Sequence, residues 1–168
     1  MNRKRFIIDC IIHFCLFGVL IVADQLTKLW AREVLVTDPI IVWKDVFSFR
    51  LIYNTGASFG IFHNHTSILT IFSVVAMIAV IACYFWLPKE KKMRPMRFTL
   101  AIIVAGGIGN IIDRIAFGKV TDMFSFDLIN FPVFNVADIG ITCGAILMCA
   151  LWIFYYKDED FKWKKSNS

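Results

Sequence analysis

The sequence predicts an integral membrane, all-α protein with four transmembrane helices and a small extracytoplasmic β-sheet or loop region. Apolar residues make up 58% of the 168 residues and charged residues only 18%, whereas soluble domains usually have ~45–50% and ~25%. The apolar residues are concentrated in four stretches, each close to the about 20 residues that a helix needs to cross a bilayer. This composition excludes a disordered chain, a collagen-like chain and an ordinary soluble enzyme.

The four stretches define the predicted spans of a single membrane domain, residues 1–168. The first stretch follows three basic residues, as in a secretory signal peptide, but it is long and no A-x-A-like cleavage site follows it. We therefore interpret it as an uncleaved first span. The expected spans and the two expected outer loops are 6–28, 66–87, 97–116 and 132–156, and 29–65 and 117–131.

The positions of lysine and arginine predict the orientation of the spans. Three basic residues lie at the N-terminus, five between the second and third spans, and four in the tail, which is twelve of 18. Because cytoplasmic segments carry the excess of Lys and Arg, we expect both termini in the cytoplasm. Attraction to anionic lipid explains the net charge of +5, and we expect no nucleic-acid partner.

An alternating segment, Val46–Tyr53, lies in the outer loop between the first two spans. Alternation at a period of two residues indicates a β-strand, and the Asn-Thr-Gly that follows ends it. We expect a small sheet on the membrane surface. Its aromatic face is formed by Phe47, Phe49, Leu51 and Tyr53.

Polar side chains from four separate parts of the chain gather at one depth, near the predicted outer interface. Ionisable residues at membrane depth are costly and are functional candidates by default. Helix capping alone would scatter such residues over both ends of the spans. The set consists of Asp24, Lys28, Asn54, Asn110, Asp113, Arg114, Asp122, Asn135 and Asp138.

Structural roles are the alternative for several of these residues. Asp24 and Lys28, at i and i+4, can form a plain ion pair, and Asn135 can cap the fourth helix. Asp138 is harder to explain in this way, because an unpaired carboxylate about one turn inside a membrane helix is costly.

Other polar groups and the cysteines receive a structural interpretation. The five cysteines lie inside apolar runs, so we expect them to be small buried hydrophobic side chains, with neither a disulfide framework nor a metal site. We expect a helix anchor, an i, i+4 pair and a solvated turn, formed in that order by Asp113 with Arg114, Asp9 with His13, and His63 with His65.

Five motifs occur in order along the chain: DQLTK at 24–28, NTGASF at 54–59, GGIGNIIDR at 106–114, VTD at 120–122 and FNVAD at 134–138. Together they resemble lipoprotein signal peptidase, the type II signal peptidase of bacteria. The resemblance covers the whole chain; each motif is weak alone, but five in order are specific. One departure is Met123, where the family usually has Phe, and it should alter packing only.

The resemblance implies an aspartic endopeptidase that removes the signal peptide from diacylglyceryl-modified prolipoproteins, cutting before the lipidated cysteine. The family's catalytic pair matches Asp122 and Asp138. Two carboxylates that share one proton can hydrolyse a peptide bond without Ser, Cys or metal. Further residues that the resemblance implies for substrate binding or for support of the pair are Asp24, Lys28, Asn54, Gly56, Asn110, Asp113, Arg114, Asn135 and Ala137.

The resemblance also implies the setting of the protein. We expect a multi-pass protein of the bacterial cytoplasmic (inner) membrane, with its active site near the outer face and Ala57–Asn64 covering that site as a lid. Prolipoprotein substrates and membrane lipid are the expected partners, and the antibiotic globomycin is the expected inhibitor. We expect a monomer and no cofactor.

Two other function classes compete with a peptidase. A small four-span transporter or exporter also places carboxylates in helices, but the carboxylates here lie at the outer end of the spans and the chain has no inverted repeat. A structural or assembly subunit would leave the polar cluster unexplained. Cleavage of a lipidated prolipoprotein by the purified protein separates the three classes.

Overall fold

Four long helices and three short strands make up the part of the fold that the structure describes. The computed structural model describes residues 3–56, 66–129 and 131–161. Four of the helices in this part of the chain are long and apolar enough to cross a membrane, which confirms the predicted fold class. In chain order the elements are α1 (Arg3–Val34), β1 (Ile40–Trp43), β2 (Phe47–Asn54), α2 (Thr66–Trp86), α3 (Arg94–Phe117), β3 (Val120–Phe126) and α4 (Val136–Phe154).

Two helices differ from the predicted spans. Helix α1 continues to Val34, so the first part of the predicted outer loop 29–65 is helical. Its last turns are not exposed loop because Ala31 and Leu35 are buried against the sheet. Helix α4 begins at Val136 rather than at 132, because Asn135 caps it in an extended conformation and Phe134 forms a β-bridge with Phe124.

Helix α3 is the centre of the bundle. It packs against α1, α2 and α4, and most of its side chains are buried, whereas α2 has no buried residue. Glycines on α3 allow this close packing. A Cβ atom at Gly106 would clash with the carbonyl oxygen of Ala137 on α4, and one at Gly107 would clash with Met77 on α2.

The three strands form an antiparallel sheet in the order β1-β2-β3. Strand β2 is the strand that the alternation in Val46–Tyr53 predicted. Strand β3 lies in the predicted outer loop 117–131 and was not predicted. Helix α3 ends at Gly118, whose positive φ of 68° suits glycine and turns the chain directly into β3.

Contacts between apolar side chains hold the sheet against the helix bundle. Met123 of β3 is fully buried against Ala31 of α1 and against Leu35, which follows that helix, and Phe49 and Leu51 of β2 pack against them. We call the end of the bundle that carries the sheet the sheet end, and the other the far end. The sheet end combines the C-terminal ends of α1 and α3 with the N-terminal end of α4.

At the far end, the expected pairing of Asp9 with His13 is wrong. Asp9 forms its ion pair with Arg94 at the start of α3, and Nδ1 of His13 lies 2.8 Å from the hydroxyl of Tyr84 on α2. Both side chains therefore join α1 to other helices. The i, i+4 spacing brought them to one face but did not select their partners.

The close packing of α3 against α4 predicts that replacing glycine by alanine affects stability differently at a packed position of α3 and at an open position of α1. We expect Gly106→Ala to destabilise the protein by about 1–3 kcal/mol, the usual cost of overpacking a filled core. Gly18→Ala on α1 is the matched control, since nothing lies within 4 Å of its added Cβ. It should be neutral or stabilising, because alanine favours helix by up to about 1 kcal/mol. Thermal unfolding in detergent micelles measures both, and equal effects would contradict this account of the crossing.

Candidate active site

The predicted carboxylates Asp122 and Asp138 meet at the sheet end on two different elements. Asp122 lies in the middle of β3, where it pairs in register with Ile52 of β2. Asp138 lies in the first turn of α4. The turn at Gly118 and the start of α4 after Asn135 bring these two positions, 16 residues apart in the sequence, to one cavity. We call these two residues the carboxylate pair.

Asn135 connects the two members of the carboxylate pair. As the N-cap of α4, it accepts a hydrogen bond from the main-chain N–H of Asp138 at 2.9 Å, and its own N–H donates to Oδ2 of Asp138 at 3.2 Å. Its side-chain Nδ2 donates to Oδ1 of Asp122 at 2.6 Å. The expected structural role as a helix cap is therefore present, and the same residue also orients both carboxylates.

Asp122 is almost completely buried, and two amides hold it. Nδ2 of Asn54 donates to its Oδ2 at 3.2 Å, opposite the bond from Asn135. Burial, and then the negative charge of Asp138, raise the pKa of Asp122 from 3.8 to about 7, although the two amide hydrogen bonds act in the other direction. No cation forms an ion pair with it within the described residues.

Asn110 of α3 holds the second carboxylate. Its Nδ2 donates to Oδ1 of Asp138 at 2.8 Å. Its Oδ1 accepts hydrogen bonds from the ammonium of Lys28 at 3.0 Å and from Nδ2 of Asn135 at 3.1 Å. Because both bonds arrive at the oxygen, the amide can present only its N–H to Asp138.

Lys28 forms a buried ion-pair cluster behind Asn110. Its ammonium, 0% exposed, lies 2.9 Å from Asp24 and 3.8 Å from Asp113. Asp24 accepts a hydrogen bond from the main-chain N–H of Ala137 on α4. The expected ion pair of Asp24 with Lys28 is thus present, but it is not isolated, because it reaches both α4 and the carboxylate pair.

Asp113 and Arg114 point to different surroundings, although they are adjacent in sequence. Asp113 is fully buried, accepts from the main-chain N–H of Thr121 on β3, and lies 3.6 Å from Arg32. Arg114 instead lines the cavity, where its charge interacts with both carboxylates. Asp113 anchors the α3–β3 turn, whereas Arg114 does not share that anchoring role.

The carboxylate pair opens into a cavity of about 820 Å³, a volume within the usual range for a ligand pocket. Asn54, Gly56, Asn110 and Arg114 form its polar end. Its apolar walls continue along α4, about 7.5 Å beyond Asp138 as far as Cys143. The N–H of Gly56 donates to Oδ1 of Asn54, which orients that amide toward Asp122.

Sequence reasoning missed several groups that complete the site. Gln25 donates to Asp24 and to the carbonyl of Gly109, and Arg32 donates to Thr121. Gln25 lies within the DQLTK motif, and Arg32 follows the motif by four residues. The two positions share one face of α1, and this shared face was the signal that sequence reasoning could have used. The segment Ala57–Asn64, the expected lid, lies outside the described residues, as do His63 and His65.

Metal ligation and disulfides can be checked within residues 3–56, 66–129 and 131–161. No three His, Cys, Asp or Glu side chains lie together there in a way that could hold a metal ion. All five cysteines are free. The expectation of buried cysteines is wrong for four of them, which are exposed on the protein surface rather than packed inside it, because apolar side chains of a membrane helix can face lipid.

The fold and the site define a class. A buried carboxylate beside a half-buried one, amides that orient both, and a large cavity at one end of four membrane-spanning helices are the arrangement of a membrane-embedded enzyme.

Comparison with known proteins gives the family. The family model for signal peptidase (SPase) II matches residues 16–154. The lipoprotein signal peptidase of Clostridium tetani is 36% identical over 150 residues, which is 86% of this chain and 92% of that protein. That of Clostridioides difficile is 34% identical over 147 residues, 86% of this chain and 96% of that protein.

The fold is also found among solved structures. A bacterial membrane enzyme determined by the in meso method at 2.3 Å resolution superposes with a TM-score of 0.75, over 91% of this chain and 94% of that chain, at 24% identity. The chain belongs to the signal peptidase II family. It is a multi-pass bacterial membrane protease, and nothing in these comparisons supports the transporter alternative.

The raised pKa of Asp122 predicts a pH-dependent effect of its removal. Between about pH 4 and pH 7 the folded protein holds a proton that the unfolded chain releases, so this carboxyl lowers stability as the pH rises through that window. Asparagine cannot ionise. We therefore expect the melting temperature of Asp122→Asn, relative to the unmodified protein, to rise between about pH 4.5 and pH 7.5.

Asp127→Asn, at the end of the same strand, is the control for this measurement. Hydrogen bonds from Ser125 and Ser48 lower the pKa of Asp127. The stabilisation that its ionised carboxylate gives the folded protein is therefore fully present at any pH above the ordinary pKa of an aspartate. Its relative melting temperature should stay constant over the same range. A constant difference for Asp122→Asn as well would contradict the raised pKa.

Proposed function

We propose that this protein is an aspartic endopeptidase that removes the signal peptide from diacylglyceryl-modified prolipoproteins, cutting before the lipidated cysteine. The observation that carries the proposal is the carboxylate pair, joined by Asn135 and open to the cavity. Membership of the signal peptidase II family supports the reaction and the substrate class. Every polar group invoked belongs to one chain, so a monomer is sufficient.

The proposed chemistry uses one proton shared by Asp122 and Asp138. Two nearby carboxyls in a desolvated site do not both ionise at neutral pH, and they titrate as a pair. The ionised carboxylate removes a proton from water as the water oxygen attacks the scissile carbonyl carbon, and the protonated carboxyl donates to the carbonyl oxygen. The C–N bond then breaks and the new amine of the cysteine takes up a proton.

Amide groups orient the pair in this proposal. Asn54, Asn110 and Asn135 hold the carboxylates with neutral donors rather than with cations. A direct ion pair would stabilise both carboxylates in the ionised form, and the shared proton would be lost. Arg114 lies in the same cavity, and we propose that its guanidinium binds a carbonyl oxygen of the substrate.

The cavity suits a substrate that stays in the membrane. Its apolar wall along α4, which includes Ile139, Ile141 and Cys143, matches the apolar signal helix and acyl chains of a prolipoprotein. We propose that the scissile bond lies at the level of Asp138, where helix ends and sheet meet. A membrane-anchored substrate would then reach the pair without leaving the bilayer.

We also propose that the sheet end faces outward and that both termini are cytoplasmic. The excess of basic residues at the termini and between α2 and α3 supports this orientation. Reporter enzymes inserted after Lys44 and fused to the C-terminus check it. The first should report the outer side and the second the cytoplasm; the reverse result would contradict the proposed topology.

Amide replacement tests the carboxylate pair. We expect Asp122→Asn and Asp138→Asn each to reduce cleavage of a lipidated prolipoprotein by at least about 10³-fold, because loss of one member of such a catalytic unit removes most of its rate. A gel-shift assay with purified protein measures this. Asp127→Asn is the matched control and should retain activity; comparable activity in either pair variant would remove that residue from the mechanism.

Dependence on the diacylglyceryl group tests the proposed substrate. Signal helices have nearly uniform apolar surfaces and can slide, whereas acyl chains fix the depth of the cysteine, at about 0.8 kcal/mol for each buried methylene. We therefore expect kcat/KM to be at least about a hundredfold higher for lipidated than for unlipidated precursor, since fixed positioning lowers the barrier. Equal values would favour a general membrane protease and overturn the lipid requirement.

A further inference from the structure

A second cavity lies toward the far end, away from the carboxylate pair. It is a groove of about 500 Å³ between α1, α2 and α3, and nearly all of its surface is apolar. The side chains that the argument uses line it from α1: Phe6, Ile7, Ile11, Phe14 and Phe17. Several of these are exposed at the surface of the bundle, including Phe14 at 73%.

The length of the groove matches one leaflet of a bilayer. From Phe6 to Phe17 the helix rises about 16 Å, and half of the hydrocarbon core is about 15 Å. An acyl chain of a lipid in that leaflet would therefore fill the groove from end to end. An isolated ion or a small polar solute would leave its apolar walls uncovered.

Arg97 lies behind Phe6, which lines the groove, and it has unused hydrogen-bond donors. It is only 1% exposed, and its guanidinium carbon lies 5.2 Å from the ring centre of Phe6. One nitrogen, Nη2, donates to the carbonyls of Leu87 and Pro88. The Nε and Nη1 groups are buried and have no hydrogen-bond partner within the described residues, and such groups are costly to leave unsatisfied.

The positive charge of Arg97 is also unpaired. The nearby carboxylate, Asp9, forms its ion pair with Arg94, and Arg97 forms no ion pair within the described part of the chain. The ammonium of Lys89 adds a second cation, 5.0 Å from the same Phe6 ring. A buried cation at the membrane boundary needs an anion.

We propose that the groove binds an anionic phospholipid, with one acyl chain along α1 and the phosphate accepting hydrogen bonds from Arg97 and Lys89. Two observations point to this ligand: the groove is apolar and as long as one leaflet, and a buried cation that forms no ion pair with the described residues lies at its end. For the phosphate to reach both cations, the Phe6 ring that contacts them has to turn aside. Arg97 lies about 20 Å along α3 from Asn110, and among the described residues the groove shares no lining residue with the proposed substrate cavity.

Lipid binding to the detergent-purified protein tests this site. Native mass spectrometry would measure apparent affinity for phosphatidylglycerol, for phosphatidylcholine with the same acyl chains, and for inorganic phosphate. We expect phosphatidylglycerol to bind at least about tenfold more tightly than phosphatidylcholine, and inorganic phosphate not to compete at millimolar concentration. Equal affinity for the two lipids, or competition by phosphate alone, would overturn the proposal.

A groove-filling variant locates the binding. Ile11→Trp places a bulky indole ring in the groove. Ile12→Trp is the control, because Ile12 does not line the groove and its exposure, 54%, is close to the 56% of Ile11. We expect the first to weaken phosphatidylglycerol binding at least about tenfold and the second to leave it within about twofold. Equal effects of the two would place the lipid elsewhere.

Charge variants complete the test. Arg97→Gln should remove the preference for phosphatidylglycerol over phosphatidylcholine while binding of phosphatidylcholine is unchanged. Because Arg97 also holds two main-chain carbonyls, the variant Lys89→Gln serves if Arg97→Gln does not fold; it should reduce the preference at least about threefold. A preference that survives both substitutions would overturn the role of these cations.

Discussion

The buried ammonium of Lys28 is the contact on which the sheet end depends. It joins α1 to α3 through Asn110 and the carbonyl of Gly109, and its partner Asp24 reaches the first turn of α4. Asp113, the second carboxylate near it, holds the first residues of β3. Breaking a buried pair by removing one partner typically costs about 3–5 kcal/mol, and here the loss would reach α3, α4 and β3, three of the elements that position the carboxylate pair.

This cluster separates two electrostatic tasks. Away from the cavity, the ammonium of Lys28 pairs with the carboxylates of Asp24 and Asp113. These ion pairs hold the helices in place relative to one another. The carboxylate pair is held by neutral amides, so its orientation does not require full ionisation. Asn110 lies between the two regions, because its oxygen faces Lys28 and its N–H group faces Asp138. The ion pairs thereby help to orient the carboxylate pair without neutralising it.

The outer faces of the helices follow a different rule, because they contact lipid instead of water. Helix α2 buries none of its residues in the protein, and most apolar side chains of α1 face outward. Helices approach closely at the glycines of α3 and at Gly144 of α4. Where the helices separate, an apolar groove remains, and two buried donors of Arg97 beside it have no hydrogen-bond partner within the described residues.

The sequence alone determined four apolar helices, strand β2 and the gathering of the polar residues at one end of the bundle, because each depends on a local period or on the cost of charge in lipid. The motifs also identified the family. Only the tertiary structure decided which polar groups meet. Spacing places Asp9 and His13 on one helix face, yet Arg94 and Tyr84 are their partners. Adjacent Asp113 and Arg114 likewise diverge, because helix rotation and packing, which no single-segment pattern contains, select the contacts across elements.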